Sequence, residues 1–289
     1  MVRSMNNIKK NRLKNQVFKI WGVFCTLIGI TLLAIFIGDI IVEGLGRIDW
    51  SFITSLPSRK PENAGIWTSM MGTVWILGLT TIISFPIGVG AAIYLEEYNK
   101  KSRLANILEI NITNLAGVPS IIYGLLGLEV FVRILNLGGS VLSGALTLSL
   151  LILPIIIVAT REALKAVPHS IRAASYALGA TKWQTIWNQV IPASFGGILT
   201  GIILALSRAI GETAPLIVVG ALAYVPFAPE NPMDEYSVLP IQIFNWISRP
   251  QHGFLTNASA GIIILLVITF IMNGIAVYFR NRWQKRVKW

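Results

Sequence analysis

Residues 161–192, REALKAVPHSIRAASYALGATKWQTIWNQVIP, decide how this chain is to be read. Pro168 followed by Ser170 offers a helix start with a capping hydroxyl. Residues 171–178 then make two turns before Gly179, whose tolerance of positive φ lets the backbone reverse. Thr181 caps a second short helix running to Ile191, and Pro192 marks the entry to the next apolar run. Long apolar runs flank this elbow on both sides, so it is the connection between two membrane spans rather than a linker within a soluble domain.

Composition agrees. The chain has 289 residues, of which 54% are hydrophobic and only 13% charged, with a mean hydropathy of +0.67. These values lie outside the range of a soluble domain. Its 24 Lys and Arg outnumber 13 Asp and Glu, but they sit in short blocks between apolar runs, not over the polar surface that a nucleic-acid-binding chain needs. The single Cys25 lies inside an apolar run, which excludes a disulfide framework and a cysteine-based metal site.

A helix needs about 20 apolar residues to cross the hydrocarbon core. Six segments meet that length, at roughly 17–42, 67–95, 105–132, 142–161, 194–224 and 257–279. The first is too long for a signal-peptide core and has no small-residue cleavage site after it, so it reads as a retained span.

Short cytoplasmic segments hold an excess of Lys and Arg. Arg3, Lys9, Lys10, Arg12, Lys14 and Lys19 precede or open the first span, Lys100, Lys101 and Arg103 link the second and third, and Arg161, Lys165, Arg172 and Lys182 run from the end of the fourth towards the fifth. Arg280, Arg282, Lys285, Arg286 and Lys288 follow the last span, whereas the other side holds Arg47, Arg59, Lys60, Arg133 and Arg249. Both termini are therefore expected in the cytoplasm. Trp50, Trp67, Tyr94, Tyr98, Tyr278 and Trp283 suit interfacial anchoring near span ends. The outer segments 43–66 and 225–256 are too polar and proline-rich to span, and the second is predicted to include a short amphipathic helix around 239–246.

The fifth run, SFGGILTGIILALSRAIGETAPLIVVGAL over 194–222, contains Arg208 and Glu212. At 1.5 Å per residue from Ser194, Arg208 is expected about 21 Å in, near or past the middle of the core. A charge there is expensive unless it faces a bundle interior or wet cavity. The i,i+4 spacing puts both side chains on one face, where they can pair. Gly197 and Gly201 permit close approach of a neighbouring helix. Gly211 and Pro215 loosen the helix beside Glu212, which is tolerable only next to protein or water. The pair is either a structural tie between helices or part of an anion path, with Arg208 meeting oxyanion oxygens and Glu212 balancing its charge.

Other polar positions carry less. Ser120, Tyr123 and Thr213 are candidate lining groups, and Pro86, Pro119 and Pro154 are ordinary membrane-helix prolines. Glu109 and Glu129 read as solvated ends of the third span. His169 and His252 fall on opposite sides and cannot share a metal. No P-loop pattern occurs, so the chain is not expected to hydrolyse ATP.

The elbow resembles the docking loop of bacterial ABC importer permeases, whose signature is Glu-Ala-Ala, three residues, Gly, nine residues, Ile, one residue and Leu-Pro. Here Ala173, Ala174 and Ser175 occupy the triplet, Gly179 and Pro192 keep the spacing, and Ala173, Gln189 and Ile191 depart from the usual Glu, Ile and Leu. No role for an acidic triplet residue is carried over. RAIGETAPL over 208–216, PENAGI over 61–66, NLAGVPSIIYGLLGL over 114–128 and LPIQIFNWISRPQ over 239–251 resemble phosphate permeases of the PstA type, and the likeness extends over about residues 60–280.

The resemblance implies an all-α, polytopic fold with six transmembrane helices, that of a type I ABC importer permease. The apolar runs and basic blocks divide the chain into a cytoplasmic tail over 1–16, a first span and outer loop over 17–66, a core of five spans over 67–280 and a basic cytoplasmic tail over 281–289, and the resemblance implies a docking loop at 162–192 within that core. The implied docking residues are Ala173, Ala174, Ser175, Tyr176, Ala177, Leu178, Gly179, Ala180, Thr181 and Trp183, and the implied path residues are Arg208, Glu212 and Thr213. It further implies a phosphate importer in the bacterial plasma membrane, formed with a sister permease, a cytoplasmic ATPase dimer that holds ATP and Mg, and an extracytoplasmic phosphate-binding protein, with no cofactor or nucleic acid bound by this chain. The alternatives are a permease for molybdate, sulfate or phosphonate, and a channel or ion-coupled carrier that needs no ATPase. A membrane-embedded enzyme lacks a nucleophile, metal cluster or acid–base pair.

Overall fold

The computed structural model describes residues 2–98, 103–221 and 224–284. Lys100, Lys101, Lys285, Arg286 and Lys288 lie outside these residues, and so do the side chains of Arg3, Lys9 and Lys10. The chain is all-α and multi-pass. Among the described residues the extended pairing is one isolated bridge between Ser140 and Glu235.

The helices, in order, are α1 (Val2–Gly44), α2 (Trp50–Thr54), α3 (Trp67–Ile93), α4 (Arg103–Leu115), α5 (Ser120–Gly127), α6 (Val141–Lys165), α7 (His169–Ala177), α8 (Lys182–Thr185), α9 (Ile191–Ala209), α10 (Ala214–Val219), α11 (Leu239–Ile247) and α12 (His252–Gln284). Five helical stretches are long and apolar enough to cross a membrane: Lys14–Arg47, Trp67–Tyr98, Val141–Lys165, Lys182–Ala209 and His252–Trp283. A sixth crossing exists only if α4 and α5 are taken together, because they are bent by 103°.

Helix α6 is the centre. Two-thirds of its apolar stretch is buried, against none for α1 and α12, so α6 is packed on most of its surface while those two present theirs outward. It begins at a reciprocal cap in which Ser140 Oγ accepts from the Ser143 amide and Ser143 Oγ accepts from the Ser140 amide. Against it lies α3, whose buried stripe Gly72, Ile76, Thr80, Ser84, Gly88 and Ala92 repeats every four residues. Small side chains at that spacing let backbones approach where no hydrophobic force drives helix pairing. Thr80 Oγ1 donates to the Ala145 carbonyl at 3.3 Å, and Ser149 Oγ to that of Thr80 at 3.4 Å. Helix α9 closes the other side. A methyl group on Gly197 or Gly201 would collide with Ala163 or Ala159 of α6, which is why the small pair is there.

At the end of the bundle opposite the elbow, Arg47 ties the chain into a knot. It donates to Asn257 at 3.0 Å and to the carbonyls of Glu62 and Ala64 at 2.8 and 3.2 Å, and it lies over the Phe52 ring. The Asp49 carboxylate beside it caps α2 by accepting from the Phe52 amide, which with the Ser51 hydroxyl and Arg47 holds its pKa below the ordinary value. The short helix expected in segment 225–256 is α11. Its Trp246 is buried with Phe52 and Phe254, so α11 is part of the core there and not merely an interfacial ribbon.

Three expectations need correcting. The third apolar run is not one straight helix: α4 has 13 residues, about 20 Å, and the chain turns at 116–119. Pro119 disfavours helix at Val118 and cannot donate to it. The fifth run is not a helix over 194–224. Its helix begins far earlier, at Lys182, and ends at Ala209, after which 210–213 break it before α10. Finally, Ser170 does not cap α7. Pro168 occupies the cap position without a side-chain bond, and Ser170 lies inside the helix.

Candidate functional site

Two places in the molecule hold the residues singled out from sequence, at opposite ends of the helix Lys182–Ala209.

The first is the break between α9 and α10. Arg208 is in the last turn of α9, where a cation is favoured by the carbonyl end of the helix dipole. It lies about 39 Å along the helix from Lys182, so it stands at the far end of the span and not mid-helix. Glu212 is beyond the helix end, in the turn held by Gly211 and Glu212 amides donating to the Arg208 and Ala209 carbonyls. Arg208 Nε donates to Glu212 Oε1 at 3.2 Å, with the side chains 43% and 16% exposed. The two terminal nitrogens of the guanidinium make no further hydrogen bond among the described residues.

Around the pair, Tyr123 of α5 packs with Ala205 and Ala209 and donates its hydroxyl to the Leu115 carbonyl at 2.7 Å. The two interrupted runs therefore lean on each other: α10 packs on α5, with Gly124 against Pro215. Thr213 precedes α10 without capping it, and its hydroxyl makes only a long 3.4 Å contact to the Gly211 carbonyl. One turn before Arg208, Leu204 is 62% exposed, so this face of α9 has no cover from the described residues.

The second place is the elbow. α7 ends at Ala177 with Leu178 at its cap, Gly179 takes φ of +83°, and Thr181 caps α8 through a reciprocal bond with Gln184. The second arm does not stop at Ile191. A π-helical turn over Ile186–Val190 carries it into α9, and the wider turn accommodates Pro192, whose ring removes a donor and crowds the carbonyl four residues back. Ala173, Ala174, Tyr176, Ala177, Leu178 and Gly179 form an exposed tip, with Leu178 at 90%. Ser175 bridges the arms at 2.8 Å to Thr185, and Ala180 sits half-buried in the bend. Between the arms runs a cleft of about 490 Å³ lined by Ile171, Ala174, Leu178, Gln184 and Asn188. Trp183 stands apart from the tip: it stacks on Trp187 at 5.6 Å and borders an apolar groove along Phe85, Val89 and Ile93 of α3.

Sequence reasoning misses a cluster of ion pairs beside the elbow. Arg172 donates to Glu97 at 2.6 Å and to the carbonyls of Val167 and Leu164 at 2.8 and 3.0 Å. Arg161 pairs with Glu109 at 2.9 Å and Glu96 at 3.5 Å. In the sequence both arginines serve only as topology markers and Glu109 only as a solvated end. Partners 52 to 75 residues apart have no spacing signature, and the available hint is the doublet Glu96-Glu97 closing an apolar span. Glu129, by contrast, does lie exposed, paired with Arg133 at 3.0 Å.

Residues 84–285 match the family described as "Binding-protein-dependent transport system inner membrane component". The chain belongs to that family. Similar relatives include the probable ABC transporter permease protein YqgI of Bacillus subtilis (strain 168), 28% identical over 280 residues and aligned over 92% of this chain and 94% of its own length. The phosphate transport system permease protein PstA 1 of Mycobacterium tuberculosis (strain CDC 1551 / Oshkosh) is 31% identical, over 91% of this chain and 87% of that one. PstA of Haemophilus influenzae is 33% identical, over 86% of each. Among solved structures, a chain of a bacterial ABC transporter involved in the import of the acidic polysaccharide alginate matches with a TM-score of 0.65 at 14% identity, covering 94% of this chain and 99% of that one. The MetNI methionine ABC transporter matches at 0.59 and 16%, covering 75% and 97%. These likenesses give the fold: this multi-pass membrane protein has the architecture of an ABC importer permease.

Proposed function

We propose that this chain is the transmembrane permease subunit of an ATP-driven importer of inorganic phosphate, and that Arg208 meets the anion. The observation that carries the reading is a half-used guanidinium, bonded to Glu212 through Nε and free at both terminal nitrogens among the described residues, on an uncovered face where a span breaks. A planar fork matches two phosphate oxygens at once. Glu212 balances its charge when no anion is present, and Thr213 adds a hydroxyl. The relatives named as phosphate transport permeases support phosphate as the substrate.

The uncovered face of α9 and the apolar length of α1 are where a sister permease completes the path. The exposed elbow tip, Ala173 to Gly179, docks into a groove of a cytoplasmic ATPase dimer, which holds ATP and Mg. An extracytoplasmic phosphate-binding protein delivers the anion at the opposite face, and both termini lie in the cytoplasm of a bacterium. Purified complex in proteoliposomes tests this with radiolabelled phosphate. Arg208→Gln should abolish uptake while all subunits still co-elute; normal uptake removes Arg208 from the path. Competition by molybdate, sulfate or phosphonate at least as strong as by phosphate would reassign the substrate, and uptake undiminished without the ATPase would point to a channel or carrier.

A further inference from the structure

Two arginines and three glutamates meet at the elbow end of the bundle, and the anion path uses none of them. After Ile93, α3 continues as a π-helical turn over Tyr94–Tyr98. Such turns are short, locally rewound, and frequent at functional positions. This one sends two consecutive carboxylates to different elements. Glu96 reaches Arg161 at the end of α6, which also holds Glu109 of α4, and Glu97 reaches Arg172 of α7.

The Glu97–Arg172 pair is buried, with the side chains 7% and 10% exposed, and the guanidinium grips both Glu97 and the carbonyl end of α6. α7 is otherwise held by a short connection through Pro168, a bend at Gly179, the Ser175–Thr185 bond and the packing of Ile171 on Leu164, Val167 and Val190. The far end of α3 is equally well tied. Thr73 Oγ1 accepts from the Leu239 amide at 3.0 Å, and Ser69 and Ser237 hydroxyls meet at 3.4 Å, where the segment leading into α11 packs on the bundle. α3 is thus a rod fastened at one end to the elbow helix and at the other to the outer segment.

We infer that Glu97 and Arg172 form the strut that delivers movement of α7 to α3, making them positioning residues for transport without contact to the anion. This rests on the reading that α7 docks on the ATPase. A buried fork suits the role because sliding α7 past α3 would strand both charges in a low-dielectric site, so the two elements move together or not at all.

The test measures three quantities on the whole complex in proteoliposomes: ATPase co-elution, ATP hydrolysis, and phosphate taken up per ATP. Glu97→Gln keeps the shape and leaves Arg172 its two carbonyl partners. It should retain the ATPase and its hydrolysis while uptake per ATP falls about tenfold, and Glu97→Asp should recover part of the loss. Unchanged uptake per ATP overturns the inference. So does loss of the ATPase from the Glu97→Gln complex, which would make the pair a docking fastener. If Glu97→Gln does not accumulate, Arg172→Lys keeps the charge but loses the fork, and uncoupling is again expected and normal coupling again fatal. Failure of the docking reading looks different, because the unaltered chain would then not retain the ATPase at all.

Discussion

Arg172 with Glu97 and Arg208 with Glu212 are the same two residue types in opposite conditions. The first pair joins helices 75 residues apart in sequence, is nearly enclosed, and has every guanidinium nitrogen bonded, to a carboxylate and two carbonyls. The second is local, four residues apart, with the arginine 43% exposed and bonded through a single nitrogen. A buried fork with all three nitrogens engaged holds two elements together and has little left to offer a ligand. An under-used fork adds little to the fold and keeps its directional bonds for a visitor.

The largest expected effect breaks this contrast at its functional pole. Arg208→Gln should abolish uptake but shift the melting of the detergent-solubilised complex by no more than a surface pair's worth, about 0.2–1 kcal/mol; a large stability loss would return the pair to a structural tie. Arg172→Ala should do the reverse first. It leaves Glu97 enclosed without a partner, at about 3–5 kcal/mol, readable as a lowered melting temperature and loss of protein from the membrane.

Gly179→Val comes next, since a β-branched residue in the left-handed region costs roughly 1–2 kcal/mol or more. It should distort the elbow and reduce ATPase co-elution without touching the Arg208 end. The smallest effect sharpens the picture beside Arg208. Thr213→Ala removes only a long hydroxyl contact and should change stability by no more than about 0.5 kcal/mol, so any drop in uptake it causes reports on the path directly.

Much of the fold is legible in the residues. Six apolar runs of spanning length, the reversal at Gly179 and the cap at Thr181 all follow from local chemistry, and the small pair Gly197 and Gly201 correctly marks a tight helix contact. What escapes is bending. Hydropathy averaged over a window sees the same apolar content whether or not the chain turns, so the break at 116–119 stays hidden despite Pro119, whereas Gly211 and Pro215 mark the loosening beside Glu212 without showing that the helix ends there. The start of the fifth helix is misplaced because Pro192 reads as a boundary unless the widened turn before it is known, so Arg208 falls in the last turn of an early-starting helix and not midway along a later one. The pairing of Arg208 with Glu212 is readable from spacing. That of Arg172 with Glu97 is not, since only the packed fold brings those segments together.

The π-helical turn at Tyr94–Tyr98 holds one more residue per turn than the helix it extends. It acts as a phase shifter between the membrane part of α3 and the carboxylates beyond it. Deleting one residue there would rewind the tip by about 100°, swinging Glu97 off α7 while leaving every lipid-facing contact of the helix unchanged. Insertions and deletions that a loop would absorb without consequence are therefore closed to this segment, because the direction in which Glu97 points is set by a count of residues as much as by their identity.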